Sequence, residues 1–122
     1  MSTPPLYQLK AEFFKTLGHP VRICVLELLS SREYAVAEII PEVGVEAAHL
    51  SQQLAILRRA NLVATRRKGS TVYYRLTTPE VANLLTAARS ILGGVLAGQA
   101  ELLADLQAAP ATAALPPSPR PA

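Results

Sequence analysis

The chain has 122 residues, half of them apolar, which is enough for one folded domain with a modest core. Its formal net charge is +3 and its pI is about 9.4, a balance that favours polyanionic partners. A single cysteine, Cys24, excludes a disulfide within one chain and fits a reducing cytoplasm. We find no signal-peptide h-region and no run of about 18 uncharged apolar residues, so the sequence predicts neither secretion nor a membrane span.

Apolar residues at helical spacing predict two helices at the start of the chain. Gly18 is suited to end the first, and Pro20 to occupy the first turn of the second. A short third helix is predicted from Val36 to about Glu42, and Pro41 should kink or shorten it because proline lacks an amide N–H.

The middle of the chain predicts a fourth helix followed by a β-hairpin. Glu46 is a candidate cap for the helix, which should run to about Ala60, where Asn61 tolerates the left-handed conformation that ends helices. Residues 62–67 and 71–76 then read as two short strands with a glycine at the turn between them.

The last predicted element is a long helix, with a cap, a proline and an acid at residues 78–80 and a weak region around its three glycines. Residues 108–122 are rich in alanine and proline and are predicted to be a disordered tail. Residues 1–107 then form a winged helix-turn-helix domain, a mainly α fold with a small β-hairpin as the wing.

The charge is distributed unevenly along this order of elements. Residues 47–78 contain no Asp or Glu and carry six positive side chains, whereas the rest of the chain sums to −3. A run of like charge is usually a solvated face, but here it coincides with a turn-linked pair of helices and a basic hairpin. The coincidence predicts a surface that binds double-stranded DNA.

The fourth helix is predicted to read bases and the hairpin to contact phosphates. Leu50, Leu54 and Leu57 should face the core, so the opposite face is free to enter the major groove. The predicted DNA-binding residues are Ala48, His49, Ser51, Gln52, Gln53 and Arg59 on the helix, and Arg66, Arg67, Lys68 and Thr71 on the hairpin.

The first and last helices carry more apolar surface than a three-helix core with a wing can cover, which predicts a homodimer. The residues predicted for its interface are Leu6, Leu9, Phe13, Phe14, Leu84, Ala88, Ile91, Leu92 and Val95.

Over roughly residues 6–106 the sequence resembles the ArsR/SmtB family of bacterial regulators. The similarity lies in FFKTLGHPVRICVLELLSSREYAVAEII and LSQQLAILRRANLVATRRKGSTVYYRL, which match the family's L-x-x-P-x-R and R-x-G-x-x-x-Y-Y-x-L patterns. The resemblance implies a homodimer that binds an inverted-repeat operator, usually as a repressor released by an effector. Glu46, Ala48 and Gln53 depart from the residues that the family often has there, so the operator sequence is not implied.

The same resemblance shows where metal-sensing members bind their metal, and the ligands are missing here. Ala35 and Ala37 stand where those members have cysteines, and the last helix contains no histidine. We therefore predict no cofactor. Cys24 is expected in the core and His19 as a helix cap. The alternative is a metal-responsive regulator, with Ni²⁺ or Zn²⁺ at an atypical His/carboxylate site or a co-regulator protein, acting as an activator.

Other classes of function are less well supported. The sequence has no glycine-rich phosphate loop and no Ser, His or Asp arrangement with catalytic spacing, so we predict no enzymatic activity. A winged-helix module that binds protein or RNA would carry the same basic wing and remains the second alternative.

Overall fold

The structure is a computed structural model that describes residues 5–108. In the described part the elements are α1 (Pro5–Leu17), α2 (Pro20–Leu29), β1 (Tyr34–Ala35), α3 (Val36–Val43), α4 (Ala47–Arg59), β2 (Val63–Lys68), β3 (Thr71–Leu76) and α5 (Pro79–Ala108). Every predicted helix and both predicted strands are confirmed, with ends within two residues of those expected. The fold is a winged helix-turn-helix.

One element, the short strand β1, was not predicted. Its two residues pair antiparallel with β3, placing Tyr34 opposite Tyr74 and Ala35 opposite Tyr73. The wing is therefore part of a three-stranded sheet in the order β1-β3-β2. A two-residue strand has too few positions to show alternation in a sequence, so only the pairing reveals it.

The turns form where the sequence allows positive backbone angles. Lys68 pairs with Thr71 across the hairpin, and Gly69 between them has φ +64°. Asn61, after the end of α4, has φ +61° and is the only non-glycine residue in the described chain with a positive φ. Both features confirm the predicted positions of the turns.

Side chains fix the starts of three helices. His19 caps α2, since its Nδ1 accepts a hydrogen bond from the amide of Val21 at 3.2 Å. Glu38 accepts the amide N–H of Ala35 at 2.8 Å and so holds the start of α3. The hydroxyl of Thr78 accepts the Glu80 amide N–H at 3.3 Å at the start of α5.

Two expectations about helix ends need adjustment. Glu46 occupies the cap position of α4, but its side chain makes no capping hydrogen bond. Pro41 lies inside α3, which continues through Val43 and ends at Gly44 in the left-handed conformation. Proline therefore removes one hydrogen-bond donor from α3 without ending the helix at that point.

The core is apolar and is built from residues of all five helices and of the β2 region. Leu26 on α2 is fully buried, whereas Cys24, which was expected in the core, is half-buried. The buried cluster consists of Leu17, Val25, Leu26, Leu29, Ile39, Leu50, Leu54, Leu57, Leu62, Val63, Val81 and Leu85.

Helix α5 continues without a break through its three glycines and includes Ala108, which the prediction had placed in the tail. Residues 109–122 of the predicted tail lie outside the described residues. The chain divides into two compact units, one ending at Leu85 and one beginning at Thr86. An 18-residue window of α5 has a mean hydropathy of 1.4, so by length and composition alone this helix is long and apolar enough to cross a membrane.

Replacing Leu54 by alanine should lower the free energy of unfolding by about 2–5 kcal/mol, because a 2% exposed side chain is removed from the centre of the core. Urea denaturation followed by circular dichroism measures the change. Arg59→Ala on the exposed face of the same helix is the control, with an expected change below about 0.5 kcal/mol. Equal effects of the two substitutions would contradict this assignment of the core.

Candidate nucleic-acid interface

The outer face of α4 is polar and exposed. Ala48, His49 and Ser51 lie in its first two turns, and Gln52 and Arg59 follow along the helix, all with exposed side chains. Leu50, Leu54 and Leu57 are buried on the other side, as predicted. A small residue, amides and hydroxyls on the exposed side of a helix are groups that can meet the edges of bases in a major groove.

Gln53 does not belong to this face, which corrects the prediction. Its side chain is only 6% exposed, and its Oε1 accepts a hydrogen bond from Nη1 of Arg22 at 2.7 Å. A helix turns by about 100° per residue, so Gln53 lies about 60° from Leu50, nearer the core than the outer face. The helical geometry of the sequence therefore already indicated its burial; its partner on α2 could not be identified from the sequence.

Arg22 joins α2 to two other helices. Besides Gln53 on α4, its Nε donates a hydrogen bond to the carbonyl oxygen of Thr16, near the end of α1, at 2.7 Å. Carbonyl groups at the end of a helix lack partners within the helix, so a guanidinium is a suitable donor for one of them. One side chain thus links three helices and holds α4 at a defined position.

The first turn of α4 lies beside the cap of α2. The rings of His49 and His19 pack edge to face, with centroids 6.2 Å apart and planes at 86°. His49 remains exposed, and the Nδ1 atom of His19 is already occupied by the Val21 amide. His19 therefore has a structural role as a cap, as the sequence predicted.

Arg66 of the wing is paired with an acid that lies outside the acid-free residues 47–78. Its Nε lies 2.8 Å and 3.0 Å from the two carboxylate oxygens of Glu33, and its Nη2 lies 2.8 Å from one of them. The guanidinium carbon also lies 4.7 Å from the centroid of the Tyr73 ring. The acid comes from the residue before β1, so the unpredicted strand explains why the pairing was missed.

The pairing shifts the acid–base equilibria of both groups. The hydrogen bond from Arg66 lowers the pKa of Glu33 below its usual value, with further lowering by the charges of Arg66 and Arg75. The same contact raises the pKa of Arg66. Because the folded pKa of Glu33 is depressed, the pair stabilises the fold above the usual carboxyl pKa and loses this effect as pH falls through the folded value.

The other predicted wing residues lie at the tip of the hairpin. Arg67 and Lys68 are exposed, and Thr71 is half-buried opposite Lys68. Between α4 and the sheet runs an open groove of about 320 Å³, and its polar side chains include residues that the prediction had not selected. The groove is lined by Val36, Ser51, Leu54, Ala55, Arg58, Arg59 and Tyr74.

The predicted dimer residues fall into two sets. Leu6, Leu9 and Phe14 on α1 are exposed, as are Ala88, Ile91, Leu92 and Val95 on α5. Phe13 and Leu84 are instead half-buried against the core of the same chain. The structure adds exposed apolar side chains that were not predicted for an interface, namely Tyr7, Ile23, Leu96, Leu102 and Leu103.

Residues 5–108 contain no group of three or more His, Cys, Asp or Glu side chains placed to hold a metal ion. In the segment where the family's metal sensors have cysteines, the nearest acid is Glu38, and its carboxylate accepts the Ala35 amide N–H and contacts Arg32 at 3.4 Å. These hydrogen bonds lower the pKa of Glu38, with the Ala35 bond the larger cause.

Comparison with known proteins identifies relatives along most of the chain. Residues 19–65 match the model of the family described as "Bacterial regulatory protein, arsR family". The uncharacterized HTH-type transcriptional regulator Rv0081 of Mycobacterium tuberculosis is 50% identical over 109 residues, which cover 88% of this chain and 96% of the relative. The biofilm growth-associated repressor of Xylella fastidiosa is 40% identical over 81 residues, covering 66% and 71% of the two chains.

Solved structures give the same relationship. The crystal structure of M. tuberculosis Rv0081 superposes with a TM-score of 0.75 at 51% identity, covering 81% of this chain and 99% of that one. The solution structure of the homodimeric winged helix-turn-helix DNA-binding domain of Mb0332 from Mycobacterium bovis superposes with a TM-score of 0.69 at 30% identity, covering 75% and 85%.

Replacing Gln53 by alanine should lower the free energy of unfolding by roughly 1–3 kcal/mol, because Arg22 loses a charge-assisted hydrogen bond. Gln52→Ala is the matched control, since the neighbouring amide is exposed and its loss should leave stability within about 0.5 kcal/mol. Thermal and urea unfolding of the two variants measure the difference. Equal stabilities would show that the Arg22 contact does not hold α4.

Proposed function

The chain belongs to the ArsR family of bacterial regulatory proteins and is a DNA-binding transcriptional repressor, and we propose that it binds an inverted-repeat operator as a homodimer. The observation that carries this proposal is the coincidence of the acid-free residues 47–78 with the exposed face of α4 and the wing. Such a surface meets DNA with positive charge and with groups that recognise bases.

In the proposed complex α4 enters the major groove and Gln52 reads a base edge. Its amide carries both a donor and an acceptor, which is the pattern needed for a bidentate contact with adenine. Ala48 and Ser51, exposed in the first two turns, are small enough for the start of the helix to approach the bases closely. His49 adds a further donor beside them.

The wing provides contacts that do not depend on sequence. Arg67 and Lys68 are exposed at the tip of the hairpin, where long cationic side chains can reach the phosphates beside the minor groove. Such contacts fix the position of the protein on the duplex, and base contacts from α4 then select the site.

The exposed apolar residues of α1 and of α5 support the homodimer. Large apolar side chains exposed in succession along a helix mark interaction surfaces, and Ile91 at 67% and Leu92 at 60% exposure are examples. A two-fold axis would place two recognition helices about 34–36 Å apart, one turn of DNA or a multiple of it. The apolar composition that makes α5 a candidate membrane span is equally suited to burial in a dimer interface. We therefore propose that the protein is cytoplasmic.

For the effector we propose that the protein carries no resident metal. Within residues 5–108, no three His, Cys, Asp or Glu side chains lie close enough together to hold a metal ion. Glu38, which lies in the segment where the family's metal sensors have cysteines, accepts the Ala35 amide N–H at the start of α3. Regulation by Ni²⁺ or Zn²⁺ at an atypical site, or by a co-regulator protein, is the alternative. We also propose no enzymatic activity, since the family and the relatives are transcriptional regulators.

Selection of bound duplexes from a random pool tests the separation of base reading from phosphate binding. Gln52→Ala should lose roughly 1–3 kcal/mol of discrimination at one base pair of each half-site. Replacing Arg67 and Lys68 together by alanine should weaken binding to all duplexes and reduce the salt dependence. The reverse pattern, or a preference for RNA or for single strands, would contradict the proposal. Repeating the selection with Ni²⁺ and Zn²⁺ tests the metal alternative.

Replacing Val95 by glutamate should convert the dimer to monomer, because a charge would be buried in the apolar contact between protomers. Sedimentation velocity at micromolar concentration measures the change. Asn83→Glu introduces the same charge at an exposed polar position of α5 and should leave the dimer intact. A wild-type protein that sediments as a monomer would refute the homodimer.

A further inference from the structure

The strands of the wing place neighbouring cations on opposite faces of the sheet. Side chains alternate along a strand, so Arg67 shares a face with Thr65, which pairs with Tyr74, and Tyr74 lines the groove beside α4. Arg66 lies on the other face, opposite Tyr73. Adjacent arginines in the sequence therefore meet different surroundings.

On its face of the sheet, Arg66 is paired with an acid and an aromatic ring. Both carboxylate oxygens of Glu33 accept hydrogen bonds from Nε of Arg66, at 2.8 and 3.0 Å, and Nη2 lies 2.8 Å from Oε1. The ring of Tyr73 packs against the same guanidinium. Hydrogen bonds between a guanidinium and a carboxylate are charge-assisted and are stronger than those between neutral groups. Arg66 and Glu33 together contribute no net charge to the wing.

We propose that Glu33 withholds Arg66 from DNA, so that Arg66 is a positioning residue of the wing and not a phosphate contact. The pair ties β2 to the residue before β1 and holds the hairpin against the rest of the sheet. The inference rests on the proposed function, because it divides the cations of the wing into one that fixes its position and two, Arg67 and Lys68, that bind phosphates.

Salt dependence distinguishes these two roles. Each phosphate neutralised by a protein cation releases condensed counterions, so the slope of log K against log salt steepens by about 0.9 per contact. A cation already neutralised by Glu33 releases none. Arg66 therefore should not contribute to the slope, although its loss can alter affinity through the shape of the wing.

The experiment measures binding of the full chain to a random-sequence duplex by fluorescence anisotropy at several salt concentrations. Arg67→Ala should make the slope shallower by about 0.9 per protomer, whereas Arg66→Ala should leave it unchanged. Glu33→Gln keeps the shape of the side chain and removes its charge, so it should free Arg66 and steepen the slope by about 0.9 per protomer.

The double variant E33Q/R66A separates release of Arg66 from the general loss of a negative charge. It should return the slope to that of the wild type, because no freed guanidinium remains. An R66A slope as shallow as that of R67A, or an E33Q slope equal to the wild type, would overturn the inference while leaving the proposed function intact. A wild-type chain that bound no duplex would refute the proposed function itself, and this inference with it.

Discussion

The position of the recognition helix depends on one guanidinium. Arg22 donates to the Thr16 carbonyl oxygen at the end of α1 and to the buried amide of Gln53 on α4, both at 2.7 Å. The apolar residues of α4 fill the core, but apolar contacts are not directional and allow a helix to slide or rotate by small amounts. Hydrogen bonds from a planar, charged group are directional, so this contact restrains the orientation in which the buried leucines already hold α4.

A second charged contact, between Glu33 and Arg66, restrains the position of the wing. Glu33 lies before β1 and reaches Arg66 on β2, across the intervening strand β3. Because both side chains are at least partly exposed to solvent, this ion pair contributes little to the free energy of unfolding. Their effect is on geometry: they define where the hairpin lies relative to the remaining sheet. The helix and the wing are thus each held by an arginine that binds within the protein.

Much of the fold could be predicted from the sequence because the residues that indicate it act locally. Pro20, Asn61 and Gly69 mark boundaries through backbone preferences that hold in any context, and the spacing of Leu50, Leu54 and Leu57 defines the buried side of α4. Strand β1 was missed because two residues form a strand only through a partner some 40 positions away.

The tertiary partners of two predicted interface residues were missed for the same reason. Sequence reasoning placed Ala48, Gln52 and Arg59 on the exposed face of α4 because helical geometry alone determines that face. Gln53 and Arg66 were assigned to DNA from their chemical type, yet each binds a residue at least 31 positions away, Arg22 and Glu33 respectively. A polar side chain at the edge of a surface has two sets of possible partners, and only the tertiary contacts show which one it uses.

The glycines of α5 connect the folding of this helix to assembly. Gly93, Gly94 and Gly98 each have open space where a side chain would be, and a glycine inside a helix costs about 1 kcal/mol relative to alanine. The second half of α5 also exposes most of its apolar side chains, so packing within one protomer does little to offset that cost. In the proposed homodimer, contacts with the partner protomer would stabilise this part of the helix, so the fraction of chains with an ordered α5 would rise with protein concentration. The cell would then set the fraction of binding-competent protein through the amount of chain that it makes.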